Sequence, residues 1–126
     1  MLTDLEKNAI RDHYQNIGKN LPGFRPRASQ REMIAAIANA FSRTLTREEG
    51  EEAPKREGES IAVIEGPTGV GKSLAYLLAG GIMAQTRGKR LIVSSATVAL
   101  QEQLVDRDLP FLVEKSGLEL TFALAK

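Results

Sequence analysis

The stretch that most restricts the fold of this 126-residue chain is the loop Gly66-Pro67-Thr68-Gly69-Val70-Gly71-Lys72-Ser73. It fits the pattern Gly-x-x-x-x-Gly-Lys-[Ser/Thr], whose glycines allow backbone N–H groups to approach phosphate oxygens closely. A short apolar segment, residues 61–64, precedes the loop, and a strongly apolar segment, residues 74–83, follows it. We therefore expect the loop to join a buried strand to a helix and to bind the phosphates of a nucleoside triphosphate.

Individual positions of this loop have predicted roles. We expect Lys72 to reach the β and γ phosphates as a point charge and Ser73 to hold Mg²⁺ through its hydroxyl. These two are therefore the candidate catalytic residues. Pro67 restricts the backbone, which lowers the entropy lost when phosphate binds. The helix that follows adds free amides and the positive end of its dipole to the same site.

The residues before the loop divide into two predicted segments. Residues 1–45 carry apolar side chains at helical spacing and predict a helical leader, with helices over residues 4–17 and 30–45. Residues 46–59 contain no large apolar side chain, so nothing offsets the entropy of ordering them, and a mobile charged loop is expected. Two capping-box pairs mark the expected helix starts: Thr3 with Glu6, and Ser29 with Glu32.

Residues 60–126 show a different pattern, in the order strand, helix, strand, helix, strand. A helix over residues 99–105 is expected to be broken by Pro110. This alternation predicts an α/β fold, a parallel sheet flanked by helices, and residues 60–126 are interpreted as the core of a P-loop NTPase. The three strands are predicted at residues 61–64, 91–93 and 118–124.

Composition excludes several classes of protein. Seventeen basic residues oppose sixteen acidic ones, so a nucleic-acid partner would need a local basic patch. The absence of cysteine excludes disulfides and thiolate metal sites within the chain. The most apolar stretch, residues 74–83, is about half the length of a membrane span. We expect a soluble, cytoplasmic chain with no membrane partner, and its oligomeric state stays open.

Two further segments carry polar groups suited to ligands. A glutamine amide both donates and accepts, so Gln30 can read an adenine edge, although a surface glutamine after a helix cap explains it as well. Ser94 and Thr97 follow the second predicted strand, at the end where α/β sheets bind ligands. Ordinary N-capping by Thr97, and a solvated helix face for Gln101, are the alternatives.

Together these pieces resemble the start of a superfamily 2 DNA helicase of the DinG type, related to the iron–sulfur helicases of the XPD group. Residues 24–34 resemble the Q motif, with Arg27 and Gln30 in Arg-x-x-Gln spacing, and residues 64–73 resemble motif I. Residues 93–104 resemble motif Ia. The run Arg107-Asp108-Leu109-Pro110 is also similar to this family.

The resemblance implies a RecA-like first helicase domain that binds ATP and Mg²⁺. It implies that Gln30 reads adenine with support from Arg27. It further implies that Ser94, Thr97 and Gln101 contact single-stranded DNA. The implied activity is ATP-driven translocation on single-stranded or forked DNA and duplex unwinding, in DNA repair or replication. A four-iron four-sulfur cluster is expected only in a downstream segment.

One part of the helicase machinery is not visible in this sequence. No Asp or Glu pair follows an apolar strand after residue 73, and Asp106 and Asp108 lie at a predicted helix end. The expectation is therefore an N-terminal piece of a helicase that is inactive by itself. Two alternatives stay open: an unrelated P-loop NTPase such as a small-molecule kinase, and a non-catalytic ATP-binding module.

Overall fold

The computed structural model describes residues 2–43, 61–66 and 71–125. The predicted charged loop, residues 46–59, lies outside the described residues. Regular structure in the described part consists of helices, including one π-helical turn, Leu104–Asp108. The α-helices are α1 (Asp4–Asn20), α2 (Ala28–Ser42), α3 (Lys72–Thr86), α4 (Val98–Gln103) and α5 (Leu109–Ser116).

The two predicted helix caps have opposite outcomes. The capping box at the start of α1 is confirmed, because the Thr3 hydroxyl accepts from the Glu6 amide and the Glu6 carboxylate accepts from the Thr3 amide. The cap predicted at Ser29 is wrong. Helix α2 begins earlier, with Arg27 as its N-cap residue and no side-chain cap bond. Ser29 therefore lies inside the first turn, where its hydroxyl is past the capping position.

Helix α3 is the centre of the core. Most of its residues between Ala75 and Met83 are buried, and it packs against α1, α2 and α5. A glycine pair on α3 lets other segments approach closely: a Cβ at Gly80 would lie 2.9 Å from the Leu91 methyls, and one at Gly81 would lie 3.1 Å from a Leu120 methyl. A helix that is apolar on all sides is expected at the centre of a fold.

The predicted α/β fold with a parallel sheet is wrong for the described residues, which contain no strand. Residues 61–66, 91–95 and 117–125 are irregular, and Val63 is 96% and Ile92 88% exposed. Apolar runs favour extended backbone, but a strand exists only where a neighbouring backbone pairs with it, and this pairing is non-local. The leucines of these segments do pack on α3, and Leu118 is fully buried.

The predicted break at Pro110 is also wrong. Helical structure continues from α4 through the π-helical turn into α5, and Pro110 lies in the first turn of α5. Proline has no N–H group, so it is tolerated best where a helix begins. The π-helical turn directly before it, closed by the Leu109 amide on the Leu104 carbonyl, makes that new beginning possible. Gly117 ends α5 in the left-handed conformation.

An ion pair connects α1 to the far end of α3. The Glu6 carboxylate, 3% exposed as a residue, accepts from Nε of Arg87 at 2.9 Å and from the Thr86 hydroxyl at 3.2 Å. Arg87 also donates to the Ser42 carbonyl at the end of α2. The pKa of Glu6 is lowered to about 2, chiefly by the hydrogen bond from Arg87, with burial opposing the shift.

In the described part of the chain, no helix is long and apolar enough to cross a membrane.

Candidate nucleotide-binding site

The two ends of the predicted phosphate loop are described, while Pro67, Thr68, Gly69 and Val70 lie outside the described residues. Gly71 is the N-cap of α3 and has left-handed backbone angles, φ 75° and ψ 51°. Glycine adopts this conformation without steric conflict between its side chain and the backbone. Lys72 and Ser73 consequently stand in the first turn of α3.

Lys72 brings the two ends of the loop together. Its Nζ donates to the Gly66 carbonyl at 2.9 Å, and its side chain is exposed. A Cβ at Gly66 would come within 3.1 Å of the Lys72 side chain. The lysine ammonium is thus held beside the Gly66 carbonyl, the last described atom group before the predicted phosphate loop continues.

The first turn of α3 adds backbone donors to this charge. The first hydrogen bond inside the helix runs from the Ala75 amide to the Gly71 carbonyl at 3.1 Å. Amides ahead of Ala75 have no carbonyl partner inside α3, and they lie at the positive end of the helix dipole. Donors of this kind, together with a lysine, form an environment suited to phosphate.

Helix α2 lies against both glycines of the loop. A Cβ at Gly66 would stand only 2.6 Å from Cε of Met33, and a Cβ at Gly71 would overlap Nε2 of Gln30. Gln30 and Met33 are on the same face of α2, one turn apart. A side chain at either position would therefore displace Met33 or Gln30 of α2.

Gln30, the predicted adenine reader, has both ends of its amide engaged within the protein. The residue is 5% exposed; its Nε2 donates to the Gly71 carbonyl at 3.2 Å, and its Oε1 accepts from the Tyr14 hydroxyl at 2.5 Å. The structure thus places Gln30 against the loop, whereas Arg27 is exposed at the start of α2. The adenine contact stays a prediction.

Tyr14 is the site residue that sequence reasoning missed. It lies on the apolar face of α1, and its spacing identified it only as a core side chain. Its ring meets that of Phe24 edge to face, with centroids 5.7 Å apart and an interplanar angle of 81°. Burial raises the pKa of Tyr14, and the charge of Arg31 and the Arg27 backbone amide partly offset that rise. The signal that identifies Tyr14 is its hydrogen bond to Gln30, and this contact becomes visible only in the folded structure.

The predicted DNA-contact residues lie on and before α4. Ser94 and Thr97 are exposed, and the Thr97 hydroxyl caps α4 by accepting from the Leu100 amide at 3.2 Å. Gln101 is half-buried and donates to the Ser95 carbonyl at 3.4 Å. The hydrogen bonds of Thr97 and Gln101 stay within this segment, so it is a local unit separate from the contacts between α2 and the loop.

The predicted metal ligand is a single hydroxyl. Ser73 is half-buried in the first turn of α3, beside Lys72. The described residues hold no group of three His, Asp or Glu side chains that could bind a metal ion by themselves. A single hydroxyl ligand is compatible with Mg²⁺, which keeps several waters and is usually bound together with substrate phosphates. An iron–sulfur cluster does not fit this chain, since it contains no cysteine.

The resemblance to DinG-type helicases is confirmed by curated relatives. A protein named ATP-dependent DNA helicase DinG from Photobacterium profundum is 41% identical to this chain. The matched region covers the whole of this chain and 17% of the length of that protein. Proteins of the same name from Salmonella choleraesuis and Escherichia coli K12 are 44% and 43% identical over 88% of this chain and 14% of their own length. The chain therefore spans less than a fifth of the relatives it matches. No protein-family model matches it.

Proposed function

Since the chain is similar along its whole length to part of the DinG-type ATP-dependent DNA helicases, we propose that it is an ATP-binding portion of such a helicase. One observation carries the proposal: Lys72 and Ser73 begin α3, and Lys72 closes onto the Gly66 carbonyl. This arrangement gathers an ammonium, helix-start amides and a hydroxyl at one place. Each of these groups is a ligand for triphosphate or for its metal ion.

The nucleotide is held through its phosphates. The non-proline residues between Gly66 and Gly71 supply backbone donors, and Lys72 exchanges the Gly66 carbonyl for the β and γ phosphate oxygens. Ser73 takes a place in the coordination of Mg²⁺, which neutralises phosphate charge when bound. Gln30, supported by Arg27, supplies the contact to adenine that the Q motif implies. Gly66 and Gly71 both lie close against α2, where a Cβ at either position would contact Met33 or Gln30. This close packing of both loop ends on one helix supports the proposed site.

DNA is the second proposed partner, in single-stranded or forked form. Ser94, Thr97 and Gln101 form the contact to its backbone. The exposure of Ser94 and Thr97 supports this assignment, as does the sparse aromatic content of 5%, which favours backbone contacts over a base-stacking platform. Translocation and unwinding in DNA repair or replication, at a cytoplasmic location, complete the proposal.

The chain is expected to bind ATP without hydrolysing it at a useful rate. Hydrolysis in this class needs a carboxylate that positions water and metal. Asp106 and Asp108, the acidic pair closest in sequence to that description, lie in the π-helical turn, where Asp108 accepts from Gln103 at 3.4 Å. DNA-stimulated turnover by these 126 residues alone would contradict this expectation.

Nucleotide binding is tested by titrating a fluorescent ATP analogue with Mg²⁺ into the chain. Lys72→Ala should weaken binding roughly thirtyfold, because a charge-assisted phosphate contact is worth about 2 kcal/mol. Lys89→Ala is the matched control, since it removes the same charge beyond the other end of α3. The 15 residues of α3 separate the two lysines by about 22 Å. Equal binding by parent and Lys72→Ala would contradict the assignment of Lys72.

The DNA contact is tested separately with a labelled single-stranded oligonucleotide. Ser94→Ala should weaken binding, and the factor should be the same for oligonucleotides of different sequence, because backbone contacts carry no sequence information. Ser29→Ala, at an exposed position on α2, is the control. A loss confined to one base composition would instead indicate base readout by this segment.

A further inference from the structure

The hydrogen bonds of Gln30 connect the phosphate loop to a residue on α1 that belongs to no nucleotide-binding motif. Nε2 of Gln30 donates to the Gly71 carbonyl at 3.2 Å, and Oε1 accepts from the Tyr14 hydroxyl at 2.5 Å. The Gly71 carbonyl can only accept, so it determines which end of the amide faces the loop. The Tyr14 hydroxyl must then donate to the other end.

Neither bond is readily replaced by water, because Gln30 is buried. In such surroundings, an amide that loses one partner is left with an unsatisfied polar atom. Burial raises the pKa of Tyr14, so its hydroxyl keeps the proton that it donates. The ring is also fixed, because Phe24 stacks on it edge to face. The orientation of the Gln30 amide is therefore set from α1.

The atom that Gln30 holds is critical for the site. Gly71 is the residue at which the chain turns from the loop into α3, and its backbone is in the left-handed conformation. A change in the direction of its carbonyl rotates the peptide that it shares with Lys72. The amide of Lys72 is one of the donors that the start of α3 presents to phosphate.

We propose that Tyr14 is a positioning residue for the phosphate loop, holding the Gly71 carbonyl and the start of α3 through Gln30. The inference rests on the proposed nucleotide binding and extends it to a residue on α1 outside the loop. It also gives Gln30 a role that is independent of the nucleotide base. Met33, one turn further along α2, meets Gly66 and supports the opposite end of the loop.

The test compares Tyr14→Phe with the parent for binding of both ATP and GTP. Tyr14→Phe removes one hydroxyl and keeps the ring on Phe24, so it should weaken both nucleotides about fivefold. Gln30→Leu should weaken both at least as much. Gln85→Leu is the matched control, because Gln85 also donates its amide to a backbone carbonyl, that of Glu119, near the other end of α3. It should leave both affinities unchanged.

A spectroscopic readout separates positioning from a general loss of stability. The ¹³C resonance of the Gly71 carbonyl, measured without nucleotide, should move in Tyr14→Phe and in Gln30→Leu but not in Gln85→Leu. Unchanged affinities and an unmoved resonance in Tyr14→Phe would overturn the inference, as would weakening of ATP alone. Failure of the parent to bind either nucleotide would overturn the proposed function as well, so the two failures are distinguishable.

Discussion

The two ends of α3 are both tied to α1, but by different chemistry. At the C-terminal end, the Glu6 carboxylate binds Arg87 and the Thr86 hydroxyl. At the N-terminal end, Tyr14 acts through the neutral amide of Gln30 on Gly71. One tie is an ion pair and the other is a chain of uncharged hydrogen bonds.

The difference indicates that the two ends of α3 have different roles. An ion pair shielded from water contributes to stability and depends on pH. An uncharged relay adds no field beside the lysine that is to meet phosphate, and it fixes the direction of a backbone carbonyl. Changes at the Glu6 end should therefore alter unfolding, and changes at the Gln30 end should alter nucleotide binding.

The largest effect on stability is expected from Glu6→Ala. This change leaves Arg87 beside the core without its carboxylate and removes the capping box of α1. The free energy of unfolding in urea should fall by about 3 kcal/mol. Affinity for the ATP analogue should stay at the parent value wherever the variant is folded. Glu102→Ala, at an exposed position on α4, should change neither quantity; a matching loss there would show that the ion pair is not the cause.

Acid should weaken the ion pair of Glu6 at the C-terminal end of α3 and so lower the free energy of unfolding. The pKa of Glu6 is about 2 in the folded chain, against an ordinary value of 4.5. Because the folded value is the lower one, the unfolded chain takes up the proton first as pH falls. The stabilisation, on the order of 3 kcal/mol, is present above pH 4.5 and is lost as pH falls toward 2. Urea unfolding between these pH values should show a smaller decrease in Glu6→Gln than in the parent; parallel curves would contradict the assigned pKa.

Two glycines with positive φ provide a matched comparison at the loop. Gly71 and Gly88 both have positive φ, 75° and 63°. A Cβ at Gly88 meets nothing within 4 Å, whereas one at Gly71 overlaps the Gln30 amide. Alanine at either position should cost about 1 kcal/mol of backbone strain. Only Gly71→Ala should exceed this and also weaken the ATP analogue, and equal effects at both sites would contradict the role of Gln30.

The smallest effect is expected where α1 contacts α5, away from both ends of α3. Nδ2 of Asn16 donates to the Ser116 carbonyl at 3.1 Å, and that carbonyl also contacts Nδ1 of His13 at 2.8 Å. Because His13 remains, Asn16→Ala should lower the free energy of unfolding by only about 0.5 kcal/mol. Nucleotide affinity should not change. Asn8→Ala, at an exposed position on α1, serves as the control.

What could be predicted from the sequence follows the range of each interaction. The helices of the described residues and the capping box of Thr3 depend on neighbours in sequence, and these predictions are confirmed. The Ser29 cap and the Pro110 break are also local, and they failed because each helix begins at a different residue from the predicted one. The sheet depended on partners distant in sequence, and its prediction is wrong. Leu91 and Leu118 of the predicted strands nevertheless pack against Gly80 and Gly81 of α3.

The candidate site shows the same limit. Lys72, Ser73 and Gly71 stand together because they are adjacent in sequence. The contact of Tyr14 with Gln30 joins two helices, and no periodicity marks a tyrosine hydroxyl as a partner for a glutamine amide. Burial of Gln30 likewise could not be predicted, because glutamine is mostly an exposed residue.

The central claim, that the start of α3 binds the nucleotide through its phosphates, is tested most directly by competition. A fluorescent ATP analogue bound to the chain with Mg²⁺ is challenged with inorganic tripolyphosphate in one titration and with adenosine in another. We predict that tripolyphosphate displaces the analogue and adenosine does not, because Lys72 and the amides of α3 provide most of the affinity. Displacement by adenosine without displacement by tripolyphosphate would contradict the account.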